Sequence, residues 1–199
     1  MKIGLILECG PMGAEKKVHT YLAKQLRPEL EVETVTLDNK PKLLAGCGAA
    51  ARNLLKTCER VLIIWDLYPS WREDGERPCR HADRKLAFAS LDTAEVSRDD
   101  VALICIEEEL EAWLIADERA VETVLKSFKT NSQLRNRLPR QRRPEAVSNP
   151  KKLLVKWFKA ENGRPYVDRD HALLIASAMS NLNRLVGLST FDRFAAKLK

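Results

Sequence analysis

The first 106 residues alternate strand-like and helix-like patterns, and such a chain has few options beyond a largely parallel sheet with helices packed on its faces. Lys2–Glu8 carries Ile3, Leu5 and Leu7 with Ile6 between them and reads as a first strand. A turn containing Gly10, Pro11 and Gly13 leads into a helical stretch, Ala14–Leu26, with Val18, Leu22 and Leu26 on one face. Glu31–Leu37 then reads as a strand, Lys42–Lys56 as a helix, Arg60–Asp66 as a fully buried strand, Arg80–Asp92 as a helix and Val101–Ile106 as a fourth strand. Beyond Glu107 the pattern is helix or loop to the end. Glu107–Glu111 reads as the opening of a helix, while Lys151–Lys159, Arg169–Val186 and Thr190–Leu198 form a helical tail. The expected fold is therefore α/β, a Rossmann-type, mainly parallel four-stranded sheet flanked by helices, with a helical carboxyl-terminal region. At 199 residues, one compact domain is expected, with an α/β core over residues 1–117 and a helical extension over 118–199 packed on it.

Hydrophobic residues make up 45% and charged residues 31%, which excludes disordered and fibrous classes. The longest apolar runs, such as Val61–Trp65, are far shorter than the roughly 20 residues of a membrane-spanning helix. The start, MKIGLILECG, lacks the long apolar region of a secretion signal. Five cysteines without C-x-x-C spacing argue against a disulfide framework or a zinc ribbon, and a reducing, cytoplasmic location is expected.

Charge is unevenly distributed. Asp92–Glu122 holds eleven acids and two bases; Lys126–Arg164 holds twelve bases and two acids, with Arg135, Arg137, Arg140, Arg142 and Arg143 close together. Clustered arginines attract a phosphate backbone through counterion release, so nucleic acid is the expected partner. Blocks of opposite sign that neutralise each other in the fold are the alternative. The loop after the third strand adds Tyr68, Trp71, Arg72 and Arg77, a set suited to stacking on bases and gripping phosphates, or to packing as a lid on the sheet edge.

Ligands of an open parallel sheet bind beyond the carboxyl ends of its strands, and three strands here end in acids. These are Glu8, Asp66 and the run Glu107, Glu108, Glu109 and Glu111. Carboxylates converging from separate strands repel one another unless they share a proton or hold a hard cation, so Mg2+ or Mn2+ is the expected cofactor. Single acids at such positions also cap helices. Within the acidic run, Glu108 and Glu111 are three residues apart, and one helical face would carry both. The turn ECGPMGAE could hold an anion or simply be tight; it lacks the Gly-Lys-Ser/Thr and G-x-G-x-x-G patterns, so no nucleotide cofactor is indicated. Cys79 and His81, even with Cys9 or Cys105, have the wrong spacing for a standard zinc site, and His19 and His171 lack neighbouring partners.

The strand ILE followed by CGPMGAE, the strand LIIWD, the block CIEEELEAWLIAD, and NPKKLLVKWF with STFDRFAAKL resemble an uncharacterised bacterial family with a Toprim-like fold. ELEAWL is the most specific piece, and the likeness covers most of the chain. Such proteins accompany AAA or SMC-like ATPases, and their cores resemble the Toprim domain of overcoming-lysogenization-defect nucleases. The resemblance implies a Mg2+-dependent nuclease acting in phage defence or DNA repair. In that pattern a glutamate ends the first strand and a D-x-D motif follows the third. Carried over, Glu8 and Asp66 are catalytic and metal-binding; the basic side chains Arg72, Arg135, Arg137, Arg140, Arg142 and Arg143 are the expected contacts to nucleic acid. The sequence departs from the pattern at Tyr68, where the second aspartate belongs, and the expected source of the missing metal ligand is Glu73 or Asp74 in the following loop, or Glu108 and Glu111. The competing reading is therefore a non-catalytic regulatory subunit of an AAA ATPase, and phosphate-ester chemistry on a small molecule is a third.

Overall fold

The computed structural model describes residues 1–68, 77–129 and 133–199. Four strands, β1 (Lys2–Leu7), β2 (Glu31–Thr36), β3 (Arg60–Asp66) and β4 (Val101–Ile106), form one all-parallel sheet in the order β2-β1-β3-β4. The two inner strands, β1 and β3, are apolar and buried along nearly their whole length, whereas edge strand β2, EVETVT, is only partly covered. Leu5 pairs with Thr34 on one side and Leu62 on the other, and Ile63 with Leu103. Pairing between β3 and β4 continues past the ladder. Leu67 N–H donates to the Ile106 carbonyl at 2.8 Å and Tyr68 N–H to the Glu108 carbonyl at 3.1 Å.

Alternation along the strands gives the sheet two packed faces. Ile6, Val61, Ile63, Trp65, Leu103 and Cys105 lie under helices α2 (Lys40–Leu54) and α3 (Arg80–Thr93). Ile3, Leu5, Leu7, Leu62, Ile64, Ile104 and Ile106 join α1 (Ala14–Leu26) and the carboxyl-terminal helices in a second, larger cluster. Those helices are α4 (Glu111–Leu114), α5 (Glu118–Ser127), α6 (Pro150–Asn162), α7 (Asp168–Ala178) and α8 (Ser189–Lys197). Helix α7 packs on α1 and α8 on β4. At the junction, Trp113 is fully buried, donates from Nε1 to Thr190 Oγ1 at 2.9 Å, and meets Phe191 edge-on at 5.2 Å.

Beyond shifts of one to three residues at several element ends, three differences from expectation are notable. Helix α2 begins at Lys40 because the Asn39 side chain accepts from Lys42 N–H and Pro41 suits the first turn. The expected Arg169–Val186 helix ends at Ala178; the Asn181 side chain then accepts from Asn183 N–H and opens a separate 3-10 turn, Leu182–Arg184. Residues 107–109 are not helical, and α4 starts only at Glu111.

Helices α2 and α3 approach through Gly48. A β-carbon there would stand 2.0 Å from the Ser90 carbonyl oxygen, and Ser90 Oγ ties the pair by accepting from Gly48 N–H and donating to the Ala45 carbonyl. Gly48→Ala is therefore expected to destabilise the chain by about 1–3 kcal/mol. A urea titration checks this as a lowered midpoint with an unchanged slope.

Candidate active site at the strand carboxyl ends

The strand order reverses direction between β1 and β3, which opens a crevice at their carboxyl ends. Glu8 immediately follows β1, and its Oε2 accepts from Asp66 N–H at 3.2 Å. Asp66 ends β3, and its Oδ2 accepts from Leu110 N–H at 3.3 Å, which fixes the turn into α4. Glu111, the first residue of α4, is 5% exposed and accepts from the Tyr166 hydroxyl at 3.2 Å. Glu15, in the first turn of α1, is the fourth acid.

These carboxyls share one electrostatic environment. Burial pushes Glu8 up to about 7, against the opposing pull of Lys40 and the Asp66 amide. Asp66 is raised well above the usual aspartate range, first by burial and then by Glu8, Glu15 and Glu111. Burial lifts Glu111 to about 7, with Lys151 acting against it. Glu15 is raised chiefly by burial, then by Asp168.

Two lysines offset this charge. Lys40 is 1% exposed at the start of α2, and its Nζ donates to the Leu67 carbonyl at 2.9 Å. Lys151, in the first turn of α6, pairs with Asp168 at 2.8 Å, and its backbone N–H donates to Glu109 Oε2 at 3.3 Å. The buried Asp83 of α3 adds to the negative field at Glu8.

Glu8, Asp66 and Glu111 are thus brought together, while Glu108 is not joined to them. It lies in the bend before α4, among Glu107, Glu109 and the Asn149 amide, so the helical spacing expected to pair it with Glu111 does not apply. Arg72 lies outside the described residues, as do Trp71, Glu73 and Asp74. Arg135, Arg137, Arg140, Arg142 and Arg143 are exposed along the connection between α5 and α6. One end of that connection is anchored by Arg135 N–H on Glu161 and Leu138 N–H on Glu122. Its other end, the 3-10 turn Pro144–Ala146, packs against α4, so Arg142 and Arg143 directly precede a segment touching the helix that carries Glu111.

Sequence reasoning missed Glu15, Lys40, Lys151, Tyr166 and Asp168. Glu15 was within reach, since it closes the ECGPMGAE turn seven residues after Glu8. That turn is tight: Gly13 N–H donates to the Gly10 carbonyl at 2.8 Å, and a β-carbon at Gly13 would meet Cys9 Cβ at 2.5 Å.

The cysteine and histidine candidates stand elsewhere. Cys79 and His81 are exposed around the start of α3. Cys9 and Cys105 are buried thiols pushed up to about 12, mainly by burial. His19 is buried edge-on to Trp113, and burial lowers it to about 4. Among the described residues, no three His, Cys, Asp or Glu side chains stand as a ready-made metal cluster. What converges on the crevice is oxygen chemistry, suited to a hard cation once side chains turn toward it. No helix is long and apolar enough to cross a membrane among the described residues.

A family model described as Domain of unknown function (DUF4276) matches residues 12–199. No curated protein and no solved structure matches the chain.

The raised carboxyls have a thermodynamic consequence. Glu8 and Glu111 keep their protons up to about pH 7 in the folded chain, against about 4.5 for a free glutamate. The folded state then binds more protons than the unfolded state inside that window, so stability falls as pH rises through it. The melting temperature of the metal-free protein is expected to drop between about pH 4.5 and 7. Glu8→Gln combined with Glu111→Gln is expected to flatten that slope, and an equally steep slope in the double variant would count against these two groups.

Proposed function

We propose that this chain, which belongs to the DUF4276 family, is a Toprim-type nuclease that cleaves phosphodiester bonds of nucleic acid with Mg2+ or Mn2+. One observation carries the reading: Glu8, Glu15, Asp66 and Glu111 come from four separate elements, and each is held above its ordinary range by burial and by neighbouring carboxyls. A hard divalent cation is the ligand that best relieves such a gathering, and the all-oxygen donor set fits it. Glu8, Asp66 and Glu111 would hold the ion, with Glu15 in support and Glu108 on the rim beside Tyr68. The ion would supply activation of water and stabilisation of charge on the scissile phosphate.

The chain's own residues supply the rest. Lys40 favours the ionised form of Glu8, which fits Glu8 either for ion binding or for carrying a proton. The Tyr166 hydroxyl orients one oxygen of Glu111. Lys151, partly exposed beside Glu111 and Asp168, offers a cation to an incoming phosphate, and Arg142 and Arg143 hold the backbone next to it. Work with an AAA or SMC-like ATPase in phage defence or DNA repair, in the cytoplasm, belongs to the same proposal.

Tyr68 favours a second reading. It stands beside Glu108, where the Toprim pattern has an acid, and this suits a regulatory subunit that has lost cleavage.

The test is Mn2+ titration followed by cleavage of labelled single- and double-stranded DNA and RNA. Saturable binding is expected in the parent and is lost in Glu8→Ala/Asp66→Ala. Glu8→Gln and Asp66→Asn are each expected to slow cleavage at least about 100-fold. Cleavage at the parental rate by either variant overturns the assignment, and a parent that binds no cation even with nucleic acid present leaves the regulatory reading.

A further inference from the structure

We propose that Phe128, just past the end of α5, is a stacking platform for the bases of single-stranded nucleic acid. The proposal rests on nucleic acid being the ligand of this chain, but not on cleavage.

Phe128 is 50% exposed, although a phenyl ring of this size ordinarily lies in the core. Its position is set from one side. The His171 ring meets it at 5.5 Å with the planes 81° apart, and His171 is itself fixed because its Nδ1 accepts from Val167 N–H at 2.8 Å while its ring tilts on Phe158 at 4.7 Å. The exposed ring is therefore held from one side on an aromatic wall.

Two hollows share Phe128 as a lining residue. One, of about 620 Å³, has room for a nucleotide and is walled by Phe158, His171 and Arg164. The other is lined by Leu134 and Arg135. Asn162 also lines both.

The surrounding charge fits the same ligand. Arg135 and Arg164 are exposed, and neither guanidinium has an ion-pair partner among the described residues. Lys129, by contrast, is tied to Glu161 at 2.6 Å. An exposed ring with a cation at each side is the recognition chemistry of a single strand, whose unpaired bases stack while its phosphates meet arginine. A duplex buries its base faces and cannot use the ring.

The surface also connects to the acidic crevice. His171 and Phe158 both pack on Tyr166, at 5.8 and 5.5 Å, and the Tyr166 hydroxyl donates to Glu111. A strand laid over Phe128 would be linked to Glu111 through Phe128, His171 and Tyr166 in succession.

The test measures fluorescence anisotropy of labelled twelve-residue oligoadenylate and oligothymidylate with the full chain in EDTA, which prevents cleavage. Phe128→Ala is expected to weaken single-strand binding about 5- to 150-fold and to leave binding of a duplex unchanged. Phe128→Tyr is expected to retain affinity, and the emission added by Phe128→Trp is expected to be quenched by the oligonucleotide. Arg135→Ala and Arg164→Ala are each expected to lower the salt slope by about 0.7. Parental affinity in Phe128→Ala overturns the proposal, as does a parent that binds neither oligonucleotide at low salt. Should Phe128→Ala melt below the parent, the Tyr and Trp variants decide: lost affinity in Tyr or an unquenched Trp overturns it. Phe128-dependent binding without metal-dependent cleavage would remove the nuclease reading alone; Glu8-dependent cleavage with Phe128-independent binding would remove this one alone.

Discussion

The molecule is organised around a repulsion. Four carboxyl groups gathered at the carboxyl ends of β1 and β3, in partly buried surroundings, disfavour their own ionisation, and the neighbouring structure answers that cost. Backbone amides of Asp66 and Leu110 donate to two of them. A buried lysine from the α2 face and a partly exposed lysine from the first turn of α6 supply countercharge. The parallel sheet sets the address, since only its carboxyl edge brings Glu8 and Asp66 side by side.

The helical part of the chain belongs to this centre as much as the sheet does. Tyr166, Asp168 and Lys151 all come from beyond the four strands, yet each acts on Glu111 or Glu15. The apolar cluster that runs from Ile3 to Leu198 holds them there, because α1, which carries Glu15, is clamped between the sheet and α7. The family match over residues 12–199 likewise takes in β2, β3 and β4 together with all the helices, and it begins after β1 and Glu8.

The sheet was largely legible because its signals are local. Apolar runs bounded by turns gave β3 and β4 to the residue, and the acids at the ends of β1 and β3 followed from strand position alone. The opening of α4 was misread because four glutamates in five residues look like a helix start. In the fold, the first three belong to a bend whose backbone is still paired with the loop after β3, through Tyr68 N–H and the Glu108 carbonyl. Lys40 carried no local signal of its role, since an exposed and a buried lysine look alike in sequence. Tyr166 and Asp168 were illegible for another reason: the acids they act on, Glu111 and Glu15, lie more than fifty residues away, and a contact of that kind exists only after packing.

That separation gives the Tyr166–Glu111 hydrogen bond a meaning in time. Chains emerge from the ribosome amino end first, and the sheet with all four of its strands is complete well before residue 166 appears. Glu8, Glu15, Asp66 and Glu111 can therefore meet while the tyrosine, the aspartate and the lysine that steady them are still unmade. Until those arrive, a nascent chain carries its acids without these three later restraints.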